Sequence, residues 1–331
     1  MSNKVTIYNV ALSADVSLAT VSRVLNNPEK VKKETRDRVL KVIDELGYRP
    51  NAIARGLASR KTTTVGVLVS DLTRASIAEM LGGISDIARQ YKYSIKLFTT
   101  PENVDFNEQM KIIIAEQVDG LLLLNDELEH DKMKMVNDIC TQNEVPLVLA
   151  NVLYDDPMVP SVSIDYEKAG YEITKLMIET GKKDIYLLST VRKYSVNDKK
   201  EQGYQRAMSE ASLEPKIFRT SGSTSVNRQH FFGYFKDKRI DGAIGVRDSI
   251  AVSFMNIIRE NGLKVPERVA VAGFQNTKYA TLSRPTLTSI DIPVYDIGAV
   301  AMRLLTKLMN KEEIDEVKII LNHYIVRRQS L

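Results

Sequence analysis

The sequence predicts two architectures in one chain: an all-α helix-turn-helix headpiece, then an α/β core of two doubly wound parallel-sheet subdomains. Three observations carry this expectation. Apolar residues recur at helical spacing through three short segments before residue 49. Beyond residue 62, short apolar runs alternate with amphipathic helical stretches, the pattern of strand–helix–strand units. The length, 331 residues, exceeds what one hydrophobic core serves, while 44% hydrophobic and 27% charged residues describe an ordinary globular composition.

The headpiece pattern begins with Ile7, Val10, Ala11 and Ala14 on one helical face, where the small Ala11 lets a second helix cross closely. Asp15 and Val16 make the turn, since aspartate tolerates a left-handed backbone better than most residues. Ser17 is placed to cap the second helix, in which Val21 with Val24 or Leu25 faces inward. Leu18, Ala19, Ser22 and Arg23 are left outside. That outward set suits a major groove: Leu18 and Ala19 against thymine methyls, Ser22 for phosphate or base, and Arg23 for guanine or phosphate. Thr6, Ser17, Thr20 and Asn26 are placed to position phosphates. A third helix spans about 33–46, with Val39, Ile43 and Leu46 inward and Gly47 as its stop.

Charge agrees with this division. Residues 1–61 hold twelve Lys/Arg against six Asp/Glu, a net +6, whereas the remaining 270 carry −2. A basic module on a near-neutral body is the footprint of nucleic-acid binding, although a solvated basic surface gives the same count. Other classes are excluded. Cys140 is the only cysteine, and His130, His230 and His323 show no ligand spacing, so neither disulfides nor a metal centre is expected. No Gly-rich dinucleotide fingerprint, phosphate-loop lysine motif or nucleophile elbow occurs, so no catalytic residues are assigned. The N-terminus has no apolar core of a leader, and no run of eighteen apolar residues exists. A cytoplasmic protein with no membrane partner is expected.

In the body, strands are predicted at 65–70, 94–99, 120–124 and 147–151, then at 185–188, 217–220, 243–246 and 269–274. Two sets of about four strands imply two similar subdomains. On a helix near the C-terminus, Arg303 and Lys307 stand four residues apart on one face, where like charges repel. A docked anion would relieve them, and a phosphoserine brings nearly two negative charges.

Several runs resemble the LacI/GalR family of repressors. They are Val5-Thr6-Ile7-Tyr8, then Val16-Ser17-Leu18-Ala19-Thr20-Val21-Ser22-Arg23-Val24, then Tyr48-Arg49-Pro50-Asn51. Asp15 stands where close relatives more often carry Gly or Asn, and Leu18 where they carry Met. The resemblance extends along the chain, and Arg55-Gly56-Leu57-Ala58-Ser59 and residues 295–310 are similar to the branch controlling carbon catabolite genes. It implies a homodimer on a pseudo-palindromic double-stranded DNA operator, associated with the nucleoid. It also implies a periplasmic-binding-protein-like core. The boundaries become headpiece 1–49, hinge and linker 50–61, one subdomain from 62–161 and 291–320, and the other from 162–290 and 321–331.

The same resemblance assigns residues. Tyr8, Tyr48, Asn51, Ala54, Arg55, Leu57 and Ala58 join the DNA-binding set. Arg303 and Lys307, with Tyr295, Asp296, Asp86, Arg89 and Tyr91, would read the serine-phosphorylated phosphocarrier protein HPr as corepressor. Ser70, Asp71, Lys200, Arg247, Asp248, Gln275 and Asn276 would line an effector cleft at the carboxyl ends of strands. Here the chain departs from the sugar-responsive pattern: Gln275 replaces an aspartate, and Ser76-Ile77 an aromatic pair. The first change removes a two-acceptor clamp for hydroxyls and the second a stacking surface. No tightly held cofactor is expected. A weak phosphosugar effector fits the cationic Lys200 and Arg247, and a repressor switched by a sugar or nucleobase is the alternative.

The hinge helix expected after Pro50, capped by Asn51, has one to two turns, too short to persist alone in water. By the resemblance, Leu57 from each subunit wedges a central base step open from the minor groove. Leu57→Ala should therefore weaken specific operator binding far more than non-specific binding in a titration of both DNAs. Equal losses on the two would remove the wedge role.

Overall fold

A computed structural model describes residues 5–49, 61–100, 105–124, 130–192, 194–235 and 238–331. The chain divides into two compact units, Met1–Thr62 and Thr63–Leu331. The expected hinge residues Asn51, Ala54, Arg55, Leu57 and Ala58 lie outside the described residues.

Among its described residues the first unit has three α-helices around one core: α1 (Ile7–Ser13), α2 (Leu18–Asn26) and α3 (Lys33–Glu45). Val10, Ala11, Ala14, Val21, Val24, Val39 and Val42 are buried together, with Ile7, Leu25, Ile43, Leu46 and Tyr48 packed around them. The third helix thus turns Val42 inward, while Ile43 and Leu46 are only partly covered. It ends as expected. Gly47 has φ +60°, and the Gly47 and Tyr48 amides donate to the carbonyls of Asp44 and Ile43, closing a Schellman motif.

The second unit holds two six-stranded sheets. The first contains β1 (Thr64–Val69), β2 (Ser94–Thr99), β3 (Gly120–Leu123), β4 (Leu147–Ala150), β5 (Ser161–Ile164) and β11 (Lys318–Leu321). Its order is β11-β5-β4-β3-β1-β2, parallel throughout. The second contains β6 (Ile185–Thr190), β7 (Lys216–Thr220), β8 (Gly242–Gly245), β9 (Ala270–Phe274), β10 (Thr288–Asp291) and β12 (Tyr324–Val326). Its order is β12-β10-β9-β8-β6-β7, with only β12 antiparallel. All eight expected strands form. The four additional ones lie at the crossings between subdomains, so each sheet has six strands rather than about four. Residues 161–164 pair wholly within the first sheet, which moves the expected boundary at 162 to Asp165. The return boundary moves one residue, to follow Leu321.

Helices cover both faces of each sheet, as parallel strands buried on two sides require. Those that matter below are α4 (Ala75–Gln90), α7 (Tyr166–Glu179), α8 (Ser195–Glu210) and α12 (Val294–Met309). Between α4 and β5 lie α5 (Phe106–Ala115) and α6 (His130–Gln142). Then α9 (Thr224–Phe235), α10 (Asp248–Glu260) and α11 (Lys278–Leu282) follow α8.

The helix that enters each subdomain from the other packs on the helix after its first strand: α12 on α4, and α7 on α8. Both crossings are made by glycines. A Cβ on Gly83 would stand 2.1 Å from the Tyr295 carbonyl oxygen, and one on Gly298 2.2 Å from that of Met80. In the other pair, Gly203 meets the Glu167 carbonyl at 2.0 Å and Gly170 that of Lys200 at 2.5 Å. Because the obstacle is backbone, an added methyl must part the helices. Gly83→Ala should lower stability by about 1–3 kcal/mol, read as an earlier urea midpoint. Gly82→Ala, whose methyl would touch only the Tyr295 ring at 3.7 Å, should cost far less.

Candidate functional sites

On the headpiece, the outward residues of the second helix lie where the sequence placed them. Asp15 adopts φ +51°, which accounts for the Gly or Asn usual there. Ser17 caps α2: its Oγ accepts from the Thr20 amide at 3.2 Å and lies 2.9 Å from Thr20 Oγ1. The first amides of the helix are left for an incoming anion. Leu18, Ala19, Arg23 and Asn26 are exposed and Ser22 half-buried, all on the outer side of α2. Asn26 Nδ2 donates to Ser22 Oγ at 3.3 Å, orienting that hydroxyl. At the start of α1, the Thr6 amide and hydroxyl both donate to Asn9 Oδ1, at 2.9 and 2.6 Å. Tyr8 projects freely, 69% exposed. Tyr48 instead packs on the headpiece core, half-buried. Leu12, 84% exposed beside the turn, was not singled out by sequence because an isolated surface leucine has no periodic signature.

A second site lies on α4 and α12. Tyr295, Arg303 and Lys307 follow one stripe of α12, with Asp296 at its first turn. Tyr295 Oη donates to Asp86 Oδ2 at 2.7 Å, and Arg89 pairs with Asp86 at 3.2 Å. The hydrogen bond to Asp86 raises the Tyr295 phenol above its usual pKa, so it stays a neutral donor. Tyr91 is exposed just past the end of α4. These contacts join Tyr295, Asp86 and Arg89, while Asp296, Arg303 and Lys307 share the helix of Tyr295 and Tyr91 follows α4. Sequence did not reveal Asp315, whose carboxylate stands 3.7 Å from Lys307 Nζ.

The third site is the cleft at the carboxyl ends of β1, β4, β6, β8 and β9. Arg74, Ser76, Ile77, Met80, Leu124 and Asn151 line one side. Tyr166, Val196, Asn197, Lys200, Arg247 and Gln275 line the other. Among the described residues, hydrogen bonds that span it run from Gln275 Nε2 to Ser76 Oγ (3.4 Å), from Tyr166 Oη to Asn151, and from the Leu153 amide to Ser195 Oγ (3.4 Å). The two departures noted in sequence, Gln275 and Ser76, thus meet each other. In its inner part about 20 Å³ is open to the centre of a water molecule, room for roughly one, while about 160 Å³ is open at its mouth, lined by Asp71, Thr73, Arg74, Gly222, Arg247 and Gln275. Lys200 is 2% exposed; its Nζ donates to Asn197 Oδ1 and the Val246 carbonyl and lies 5.0 Å from the Tyr166 and Phe274 rings.

At the cleft's mouth, the guanidinium groups of Arg74 and Arg247 lie 5.5 and 5.1 Å from the centre of the Tyr194 ring. Asp71 lies beside both cations. Burial pulls its pKa upward, but hydrogen bonds from Thr73 and the charges of Arg74 and Arg247 hold it below the ordinary value. Among the described residues, Ser70 Oγ and Arg247 Nη2 are buried without a hydrogen-bond partner. Arg74, Tyr194, Asn197 and Tyr166 were not expected, since only the strand crossings bring them together.

Two expected cleft residues are corrected. Asp248 is 1% exposed, and its oxygens accept from Ser289 Oγ, the Thr277 amide and Thr277 Oγ1. Asn276 is turned to Asp291 and Arg328, at 3.0 and 2.6 Å. Neither lines the cleft; together they hold the left-handed backbone of Gln275 (φ +97°) and Asn276 (φ +50°) behind it.

This combination, a helix-turn-helix headpiece beside a two-lobed core of the binding-protein type, defines a DNA-binding transcription regulator. Profiles of the bacterial regulatory proteins of the lacI family and of the periplasmic binding protein-like domain match residues 6–51 and 174–331. Catabolite control protein A of Priestia megaterium is 40% identical over 336 residues, 98% of this chain and 99% of that protein. The HTH-type transcriptional regulator pepR1 of Lactobacillus delbrueckii subsp. lactis is 40% identical over 330 residues, 98% and 97% of the two. The crystal structure of the transcription regulator CcpA of Lactococcus lactis is similar at TM-score 0.72 and 32% identity, covering 81% of this chain and 98% of that one. The lac repressor dimer bound to operator and the anti-inducer ONPF shares the fold, at TM-score 0.90 and 24% identity over 99% of both chains. The chain belongs to the LacI family; its fold and relatives are those of transcription regulators, not enzymes. Among the described residues, no helix is long and apolar enough to cross a membrane.

The buried Asp248 yields a pH signature. Desolvation raises its pKa from 3.8 to about 6 against the lowering effect of its hydrogen bonds. The folded form therefore holds its proton more tightly than the unfolded chain. Its contribution to stability is fully present below about pH 4 and is lost as pH rises through about 6. Relative to Asp248→Asn, the wild type should gain up to about 3 kcal/mol between pH 7 and pH 4, measured by urea unfolding. A difference that does not change with pH would contradict this assignment.

Proposed function

We propose that the chain regulates carbon catabolite genes as a homodimer on pseudo-palindromic operators, with serine-phosphorylated HPr as corepressor. The observation that carries this reading is the exposed stripe of Arg303 and Lys307, flanked by the Tyr295–Asp86–Arg89 cluster. Two cations four residues apart on a helix held rigidly by its glycine crossing form a receptor for a dianion. The relatives named catabolite control protein A support the reading of carbon catabolite control. Leu72, Tyr279 and Leu282 give the core exposed apolar surface for self-association. The protein acts in the cytoplasm, at the nucleoid.

On this reading the phosphoprotein favours the body geometry that orders the hinge, and the operator tightens partner binding by the same factor. The cleft plays a lesser part. Its neutral Gln275–Ser76 closure and the small volume of its inner part argue for the phosphoprotein over a sugar or nucleobase as the main signal. A weak phosphosugar adjunct is favoured by Arg247, whose buried Nη2 has no hydrogen-bond partner among the described residues, and by Arg74 near the same Tyr194 ring.

Phosphorylated HPr should tighten operator binding roughly 5- to 150-fold in a fluorescence titration, the usual span of such coupling. Unmodified HPr should not, and Arg303→Ala should abolish the gain while leaving basal DNA binding intact. Equal enhancement by unmodified HPr would overturn the charge argument.

A further inference from the structure

The residue that pairs with Lys307 is not on α12. It belongs to the turn that follows, where 311–316 reads Lys-Glu-Glu-Ile-Asp-Glu, four acids against one lysine. This turn is anchored at two points. The Glu312 amide donates to the Lys307 carbonyl at 2.9 Å, and Ile314 packs against the main core. With Ile314 fixed, the next side chain, Asp315, lies 3.7 Å from Lys307 Nζ while remaining 94% exposed. We propose that Asp315 is an intramolecular competitor for the phosphate subsite, occupying Lys307 until a phosphoserine displaces it. The inference rests on the phosphoprotein reading given above and concerns the regulation of that same face.

The chemistry favours such an exchange only for a strong anion. Asp315 offers one negative charge already held close by its own chain. A neutral serine hydroxyl has nothing with which to displace it, whereas a phosphoserine brings nearly two charges and three acceptor oxygens. The competitor thus lowers the affinity of the phosphorylated partner without helping the unmodified one. An exposed pair of this kind is weak enough to be broken on docking.

The test is a mutant cycle in the full-length chain, read by calorimetric titration with serine-phosphorylated HPr. Asp315→Asn should tighten binding about two- to fivefold, the factor an exposed ion pair commands. Glu313→Gln removes the same charge from the same turn and should give a smaller gain. In a Lys307→Met background, Asp315→Asn should give no more than the Glu313→Gln gain, because the contested cation is gone. The proposal is overturned if Asp315→Asn does no better than Glu313→Gln, or if its full gain persists without Lys307. Failure of phosphorylated HPr to bind even the wild type would instead remove the phosphoprotein reading, and the competitor with it.

Discussion

Two helix crossings set the geometry on which the core depends. At Gly83 and Gly298, and again at Gly170 and Gly203, backbone meets backbone with no room for a methyl group. The helices joined in this way have different origins. In each subdomain one follows the first strand of its own sheet, and the other arrives from the neighbouring lobe. Close packing there fixes the incoming helix to its new sheet and so fixes where the three crossing segments must run. The binding face on α12 inherits this rigidity. Arg303 and Lys307 ride on a helix whose inner side is locked to α4, so their spacing is set before any partner arrives.

The headpiece solves a different problem with a different economy. Its core is small residues, mostly valine and alanine, which permit short helices to approach closely without large side chains to bury. Stability then depends on ends: the Ser17 cap, the left-handed Asp15 and the Schellman closure at Gly47. These same ends present amides and hydroxyls where a phosphate backbone would lie. Cap chemistry and ligand chemistry thus use one set of groups.

The headpiece was legible in sequence because helical spacing, caps and turn residues are local signals. Val10, Val21 and Val39 fell inside as their spacing demanded, and eight strands stood out as apolar runs. The four crossing strands did not stand out, because they are short and take their pairing from distant segments. The cleft was legible only in part. Family position placed Lys200, Arg247 and Gln275 correctly, but it also brought in Asp248 and Asn276, which adjoin cleft residues in sequence while pointing backward. Backbone at positive φ turns consecutive side chains in directions that spacing cannot foresee. Asp315 was invisible for a related reason: its partner lies eight residues away around a turn whose path is set by Ile314.

The hydrogen bonds named across the cleft, Gln275 to Ser76, Tyr166 to Asn151 and the Leu153 amide to Ser195, all join uncharged groups. Dissolved ions screen charges and leave such bonds nearly untouched. Ionic strength therefore acts unevenly on this molecule. It loosens a grip on phosphates and softens both the Arg303–Lys307 face and the attraction between Asp71 and Arg247 at the cleft's mouth, yet has little purchase on these three neutral bonds. The salt content of a cell would tune the molecule's charged attachments while leaving the neutral bonds between its lobes alone.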